Sequence, residues 1–276
     1  MPLEQTSPLP DAVRRVHRHV WRRGQGASPS EDLLVEEEPL EIRLAGCPIA
    51  VVMRTPGHDL ELGVGFALTE RLLPSYAALE RVAHCSTGEG SDNVLLLTPA
   101  PGVSCEPERL QRRLYATSSC GVCGKRSIDQ ALAEAPPVTA AWKMPAALLA
   151  KLPEALRAQQ PLFGATGGLH AAALFSPNGE LLVVREDIGR HNAVDKCVGW
   201  AWRSGRAPLD EVGLLVSGRV SYEVVQKALA ARISLVAGVG AVSSLAASLA
   251  TRAGMTLIGF TSAERLCIYA GAERIP

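Results

Sequence analysis

The run LLVSGRVSYEVVQKALAARISLVAGVGAVSSLAASLATRAGMTLIGF, residues 214–260, decides the fold. It reads as strand 214–216, helix 222–232, strand 235–239, helix 245–252 and strand 255–260. Strands alternating with helices imply right-handed crossovers and a parallel core to the sheet. Gly254 falls just past the last helix, where a left-handed cap is expected. Upstream, strands over 170–175 and 181–184 flank Pro177-Asn178-Gly179, a hairpin signal. Asn192 then caps a helix whose apolar face is Val194, Cys197, Val198 and Ala201.

The amino-terminal half reads differently. Residues 1–35 are polar, basic and without hydrophobic period, and are read as a flexible arm. From Pro39 the pattern changes: Leu40, Ile42 and Leu44 alternate with polar residues, Ala45-Gly46 turns the chain, and 49–53 is a second strand. His58 lies in the loop 55–58, and Asp59 caps a helix running to Leu73. A further strand covers 93–97. The stretch 135–161, rich in Ala and Pro, carries one helix. The expected architecture is α/β: the arm 1–35, a small α+β domain over 36–135, and an α/β domain with a mixed, largely parallel sheet over 136–276.

Composition narrows the function classes. Hydrophobic residues make up 47% and charged residues 20% of 276, and 28 basic side chains balance 28 acidic ones. Overall charge predicts no nucleic-acid wrapping and no anionic membrane partner, so any anion site is local. No run of about 18 apolar residues suggests a membrane span, and the start of the chain lacks the apolar core of a signal peptide. A cytoplasmic location is the expectation. Seven cysteines, with Cys47, Cys85, Cys105, Cys197 and Cys267 scattered singly, do not make a disulfide framework.

Cys120 and Cys123 stand apart as a pair, in Ser118-Ser119-Cys120-Gly121-Val122-Cys123-Gly124-Lys125-Arg126. Glycines at 121 and 124 clear space around both sulfurs. Ser127-Ile128-Asp129-Gln130 is a capping-box pattern, so a helix starts next to the loop. A helix amino terminus, Lys125 and Arg126 each favour the nucleophilic thiolate. From spacing alone, sulfur or redox chemistry, metal binding and a structural role all stay open. A structural zinc site needs about four ligands, and there is no second Cys-x-x-Cys. No metal ligand set is assigned.

The carboxyl ends of the three parallel strands run into small or basic residues: Ser217-Gly218-Arg219 before a helix capped by Ser221, 240–244, and Thr261-Ser262-Ala263-Glu264-Arg265. In an open parallel sheet these ends lie side by side and bind ligands. Free helix N–H groups with Arg219 and Arg265 suit phosphates, so a nucleotide or pyrophosphate is the expected ligand. Neither a full dinucleotide fingerprint nor a P-loop is present. The densest polar run, 185–196, joins a strand to a helix, where Asp187, Arg190, His191 and Asn192 converge on a ligand. His170, at a strand start, suits a core histidine as well as a ligand contact.

These residues resemble the formate dehydrogenase accessory sulfurtransferases, the FdhD/NarQ family, over most of the chain past residue 35. The likeness rests on Pro56-Gly57-His58-Asp59 with Gly65-Phe66 and Thr69-Glu70, on Cys120-Gly121-Val122-Cys123-Gly124-Lys125, and on 166–172. It rests further on 186–196, Ser217-Gly218-Arg219, and Gly259-Phe260 with Arg265 and Tyr269. The resemblance implies a carboxyl-terminal domain like the cytidine-deaminase fold and a homodimer. It implies sulfur received from a cysteine desulfurase and passed to molybdenum bis(molybdopterin guanine dinucleotide), the cofactor formate dehydrogenase requires. By that match Cys120 bears the persulfide, Cys123 is its partner, and Phe260, Thr261, Ser262, Ala263, Glu264 and Arg265 hold the cofactor, with GDP-like nucleotides able to occupy the same place. Ser217, Gly218, Arg219, His170, Asp187, Arg190, His191 and Asn192 complete the expected binding set. Arg71, Gly240, Val242 and Cys267 depart from the family pattern. Deaminase chemistry does not follow, since His170-Ala171-Ala172 lacks the catalytic glutamate and the cysteine pair precedes it.

Overall fold

The computed structural model describes residues 12–85, 91–103, 138 and 141–276. Cys120, Cys123, the helix expected after them and the boundary at 135/136 lie outside the described residues.

The stretch 1–35, read as a flexible arm, forms a hairpin from residue 13 onward. Strands β1 (Val13–Arg22) and β2 (Gly26–Val35) pair antiparallel as a ribbon of their own. It shows no hydrophobic period because most of its side chains face water. Charge pairs the strands instead, basic β1 against acidic β2. Arg15 meets Glu31 at 3.0 Å and Arg18 meets Asp32, while Arg14 meets Glu36 just past the end of β2. Exposed pairs of this kind are weak singly, on the order of 0.5 kcal/mol. Gly24 and Gly26, at φ 82° and 75°, close the turn.

The next sheet runs in the order β4-β3-β6-β5, from β3 (Glu38–Leu44), β4 (Cys47–Arg54), β5 (Leu79–His84) and β6 (Val94–Pro99). Leu40, Ile42 and Leu44 point inward and are fully buried, as their alternation requires. Helix α1 (Asp59–Thr69) covers that face. It is shorter than the pattern suggested: Arg71 turns left-handed at φ 55°, and the N–H groups of Leu72 and Leu73 fold back to Ala67. Asp59 does not cap it. Its carboxylate binds the sealed guanidinium of Arg54, which also reaches Glu38 and Asn93, a stronger partner than a helix N–H.

Three short helices follow: α2 (Ala146–Leu149), α3 (Leu152–Ala158) and α4 (Pro161–Thr166). The large sheet is ordered β12-β11-β10-β9-β7-β8. Its members are β7 (His170–Phe175), β8 (Leu181–Asp187), β9 (Gly213–Val216), β10 (Leu235–Gly238), β11 (Thr256–Gly259) and β12 (Cys267–Ala270). Strands β9, β10 and β11 are parallel and central, while β7–β8, β7–β9 and β11–β12 pair antiparallel. The class is α/β with a mixed sheet, as expected.

Helices α5 (Arg190–Arg203), α6 (Tyr222–Ala230) and α7 (Ser244–Ala253) complete the fold. Val194, Cys197, Val198 and Ala201 of α5 are fully buried. Gly254 takes the left-handed cap at φ 68°. Helices α1 and α5 touch backbone to backbone: a Cβ on Gly65 would stand 1.8 Å from the Asp195 carbonyl oxygen, and one on Gly199 the same distance from that of Glu61. Through this contact one hydrophobic core joins Leu62 and Leu95 to Val198 and Val225.

Candidate functional site

The turns leaving β9, β10 and β11 are knitted into one surface. The N–H of Gly240 donates to the Gly218 carbonyl at 3.0 Å, that of Phe260 to Gly240 at 2.9 Å, and that of Thr261 to Gly238 at 3.0 Å. A Cβ on Gly240 would meet the Gly218 oxygen at 2.9 Å, so this approach admits only glycine there. The parallel strands thus place 217–221, 239–243 and 260–265 side by side, as the alternation of elements predicted.

Cations gather at this edge. Arg219 and Arg190 lie close enough to His170 to lower its pKa, after burial, which is the larger cause. The Arg265 guanidinium sits 5.2 Å from the Phe260 ring centre, held by a tight turn in which the N–H of Arg265 donates to Ser262 Oγ at 3.1 Å. No carboxylate pairs with Arg190, Arg219 or Arg265 among the described residues.

Four buried side-chain atoms lack any hydrogen-bond partner among the described residues: Arg190 Nε, His191 Nε2, Ser221 Oγ and Thr261 Oγ1. All four lie at the starts of α5 and α6 or just after β11. Leaving such a group unmet costs about 1–3 kcal/mol. Each can donate a hydrogen bond, and the arginine can only donate. Donors of this kind suit the oxygens of an anion. Ser221 occupies the residue before α6, as expected, but its hydroxyl caps nothing.

The polar run 185–196 divides into frame and site. Asp187 is fully buried and its carboxylate is filled: it accepts from Thr55 N (3.2 Å), Gly189 N (2.8 Å) and Asn192 Nδ2 (2.9 Å), and pairs with Lys196 at 2.7 Å. Asn192 also donates to the Met53 carbonyl, and it is Gly189, not Asn192, that precedes α5. Asp187 and Asn192 therefore hold the loop in shape. Their short polar side chains are consumed by backbone groups of β4 and the loop after it. Arg185 clamps Glu61 of α1 at 2.6 and 3.0 Å, and Glu186 accepts two N–H groups from the first turn of α4. Only Arg190 and His191 of the expected contacts in this run keep open valences. Ser217 is likewise committed, accepting Ala171 N at 2.9 Å.

Beneath His191 lies a network that the sequence did not announce. Lys227 Nζ, fully enclosed, contacts Asp195 at 2.9 Å, Glu70 at 2.8 Å and Thr69 Oγ1 at 2.9 Å, linking α1, α5 and α6. Burial lifts the Asp195 carboxyl to about 6 against the pull of Lys227. Burial, then Lys227 and Arg190, push the His191 imidazole down to about 4. Near neutral pH His191 is thus uncharged and offers a hydrogen bond. Its residue types, scattered over 158 positions, carry no spacing signal.

His58, left-handed at φ 59°, sits half exposed with Nδ1 3.6 Å from Glu61. Cys197 is sealed, its thiol pushed up to about 12 by burial, which leaves it inert. A cavity of about 530 Å³ opens by the other end of β9, lined by Leu174, Leu182, Trp200 and Asp210 among others. It lies away from the arginines, and Asp210 is already bound to Arg232. Among the described residues no helix is long and apolar enough to cross a membrane.

Comparison with known proteins gives a consistent set of matches. Residues 35–276 match the sequence model of the FdhD/NarQ family. A relative from Streptomyces coelicolor named sulfur carrier protein FdhD is 48% identical over 270 residues, covering 94% of each chain. One of the same name from Mycobacterium tuberculosis is 48% identical over 257 residues, 88% of this chain and 92% of that one. The crystal structure of a candidate formate dehydrogenase accessory protein from Desulfotalea psychrophila superposes with a TM-score of 0.77 at 24% identity, over 96% of this chain and all of that one.

Proposed function

The chain belongs to the FdhD/NarQ family, and on that premise we propose that it is a sulfur carrier whose cargo travels as a persulfide on Cys120. The Cys120 thiolate attacks the outer sulfur of a cysteine desulfurase persulfide. The S–S bond breaks, the desulfurase leaves as thiolate, and the outer sulfur remains on Cys120. Attack by the Cys123 thiolate on the Cys120 sulfur then releases hydrosulfide and forms the Cys120–Cys123 disulfide, which an external dithiol reductant reopens by thiol–disulfide exchange, leaving as its own disulfide. The acceptor is molybdenum bis(molybdopterin guanine dinucleotide) destined for formate dehydrogenase, a bound substrate in this scheme.

The observation that carries the binding half is the sheet edge where, among the described residues, four donors are orphaned and three arginines have no carboxylate partner. It suits the phosphates of nucleotide tails. Arg219, Arg190 and Arg265 would neutralise their charge, and Ser221, Thr261 and neutral His191 would fix their oxygens. The names of the relatives support the sulfur half. A cytoplasmic homodimer is part of the same reading.

Intact mass measurement after incubation with a desulfurase and cysteine tests it. A one-sulfur adduct that vanishes in Cys120→Ala supports sulfur carriage. An adduct unchanged in that variant rejects it. No adduct on the wild-type chain, with GDP still bound, would favour a chaperone that holds the cofactor without handling sulfur.

A further inference from the structure

The ribbon β1–β2 lies almost wholly ahead of residue 35, where the family match begins, and no step proposed above uses it. A lone two-stranded ribbon is marginal in water, and this one meets the body at its root. There Val13 pairs with Val35, and Val35 Cγ1 lies 3.7 Å from where a Cβ on Gly168 would stand, two residues before His170 of the ligand edge. Alternate side chains of β1 share that face: Val13, Arg15, His17, His19 and Trp21, with Pro29 opposite His19 and Ala27 opposite Trp21. Apart from half-buried Val20, every residue from 17 to 29 is exposed. The face that packs on Gly168 at one end runs on into solvent at the other.

Charge divides the ribbon as well. Toward the root, Glu31, Asp32 and Glu36 are spent on Arg15, Arg18 and Arg14. Residues 16–30 contain no carboxylate, and among the described residues Arg22 and Arg23 have no carboxylate partner. Trp21 beside them is 69% exposed, more than any other large apolar side chain among the described residues. A tryptophan flanked by open arginines has the composition of an interface anchor. The charge selects the occupant, a surface that sets carboxylates around an apolar spot. A second copy presents the same cations and is repelled at the tip. Two open arginines neutralise too few phosphates to hold a nucleic acid at ordinary salt.

We propose that the tip of the ribbon, Trp21 with Arg22 and Arg23, docks an acidic surface of the protein that donates the sulfur. The inference rests on the sulfur-carrier reading above and adds to it the surface that recognises the donor. In that reading the acceptor is held through its nucleotide tails at the sheet edge. A single persulfide sulfur offers no such handle, so the donor is selected by contact between protein surfaces. Opposite charge across such a contact speeds encounter more than it prolongs the complex. That suits a partner that leaves after each transfer.

Sulfur loading of the full chain, followed by intact mass against time, tests it with two donors. One is a cysteine desulfurase with cysteine; the other is glutathione persulfide, which has no protein surface. The pair Arg22→Glu with Arg23→Glu and, separately, Trp21→Ser alter only exposed side chains. Each variant is expected to load from the desulfurase about tenfold more slowly and from glutathione persulfide at the wild-type rate. The wild-type advantage over the charge variant should shrink as salt is raised. Wild-type loading from the desulfurase in both variants would overturn the docking surface and leave sulfur carriage standing. Equal slowing from both donors would make the ribbon a support for the chain's own fold and overturn it too. Single-stranded RNA binding that the charge variant loses, with desulfurase loading unchanged, would assign the tip to nucleic acid instead. A wild-type chain loaded by neither donor would remove the sulfur reading and the docking surface together.

Discussion

Lys196 and Asp187 face each other at 2.7 Å, both side chains closed to solvent. Lys196 also donates to the Thr55 carbonyl at 2.9 Å, and Asp187 accepts from the Thr55 N–H. The pair therefore pins the loop before α1 to the loop that carries Arg190 and His191. An uncompensated buried charge is costly, about 3–5 kcal/mol when one partner is removed. Lys196→Met is expected to lower stability by that amount in urea unfolding. A loss below 1 kcal/mol would show that the pair does not hold the two loops together.

The contact of α1 with α5 makes a sharper steric prediction. Gly199→Ala places a methyl 1.8 Å from the Glu61 oxygen, a backbone atom that cannot step aside alone. Separation of the helices should cost about 3 kcal/mol or more. Gly164→Ala is the matched control, since nothing lies within 4 Å of its added methyl, and it should be neutral or slightly stabilising. Thermal melts of the two variants check the contrast.

Stability should depend on pH through two groups of opposite sign. Unfolded histidine takes its proton near 6.5, whereas buried His191 resists it down to about 4. Between these values the unfolded chain binds more protons, so stability falls as pH falls. Asp195, lifted to about 6 by burial, holds its proton more tightly when folded and gains stability as pH falls from 6 toward 4. The two partly cancel in the wild type. His191→Asn removes the first alone, so from pH 7 to 4 its stability should climb relative to wild type by up to about 3 kcal/mol. Parallel curves for the two proteins would contradict the assignment.

At the sheet edge, Arg219→Leu and Arg265→Leu should each weaken GDP binding about tenfold or more, the worth of a charge-assisted hydrogen bond. Each loss should shrink as salt is raised, because the arginines act through charge. Asp187→Asn is expected to act differently, lowering the melting temperature, which the arginine variants leave near that of the wild type, because its carboxylate is spent on the frame.

Much of the fold was legible because burial wrote it as period. Leu40, Ile42 and Leu44 alternate into a sheet, and Val194, Cys197, Val198 and Ala201 recur down one face of a helix. Asn178-Gly179 closed the expected hairpin. The ribbon β1–β2 was missed because it is held by cross-strand charge, which leaves no apolar rhythm. Strand β12 was missed because four residues at a sheet edge carry too little pattern.

The candidate site was half readable. Strand ends followed by glycine, serine and arginine pointed to the right edge. The residue types alone did not divide the polar run into ligand contacts and framework. Asp187 and Asn192 look as available as Arg190 and His191 until their partners in β4 and the 55–58 loop are known.

The order of residues by itself determined the alternating strands and helices, the parallel centre and the family likeness, since each depends on neighbours a few positions apart. Only the tertiary structure decided which polar atoms are satisfied and which stand open, because that depends on groups brought together across more than a hundred positions, as Thr69 meets Lys227 and Thr55 meets Asp187. Hydrophobic burial is local and periodic, while hydrogen-bond valence is settled only when distant backbone arrives to fill it.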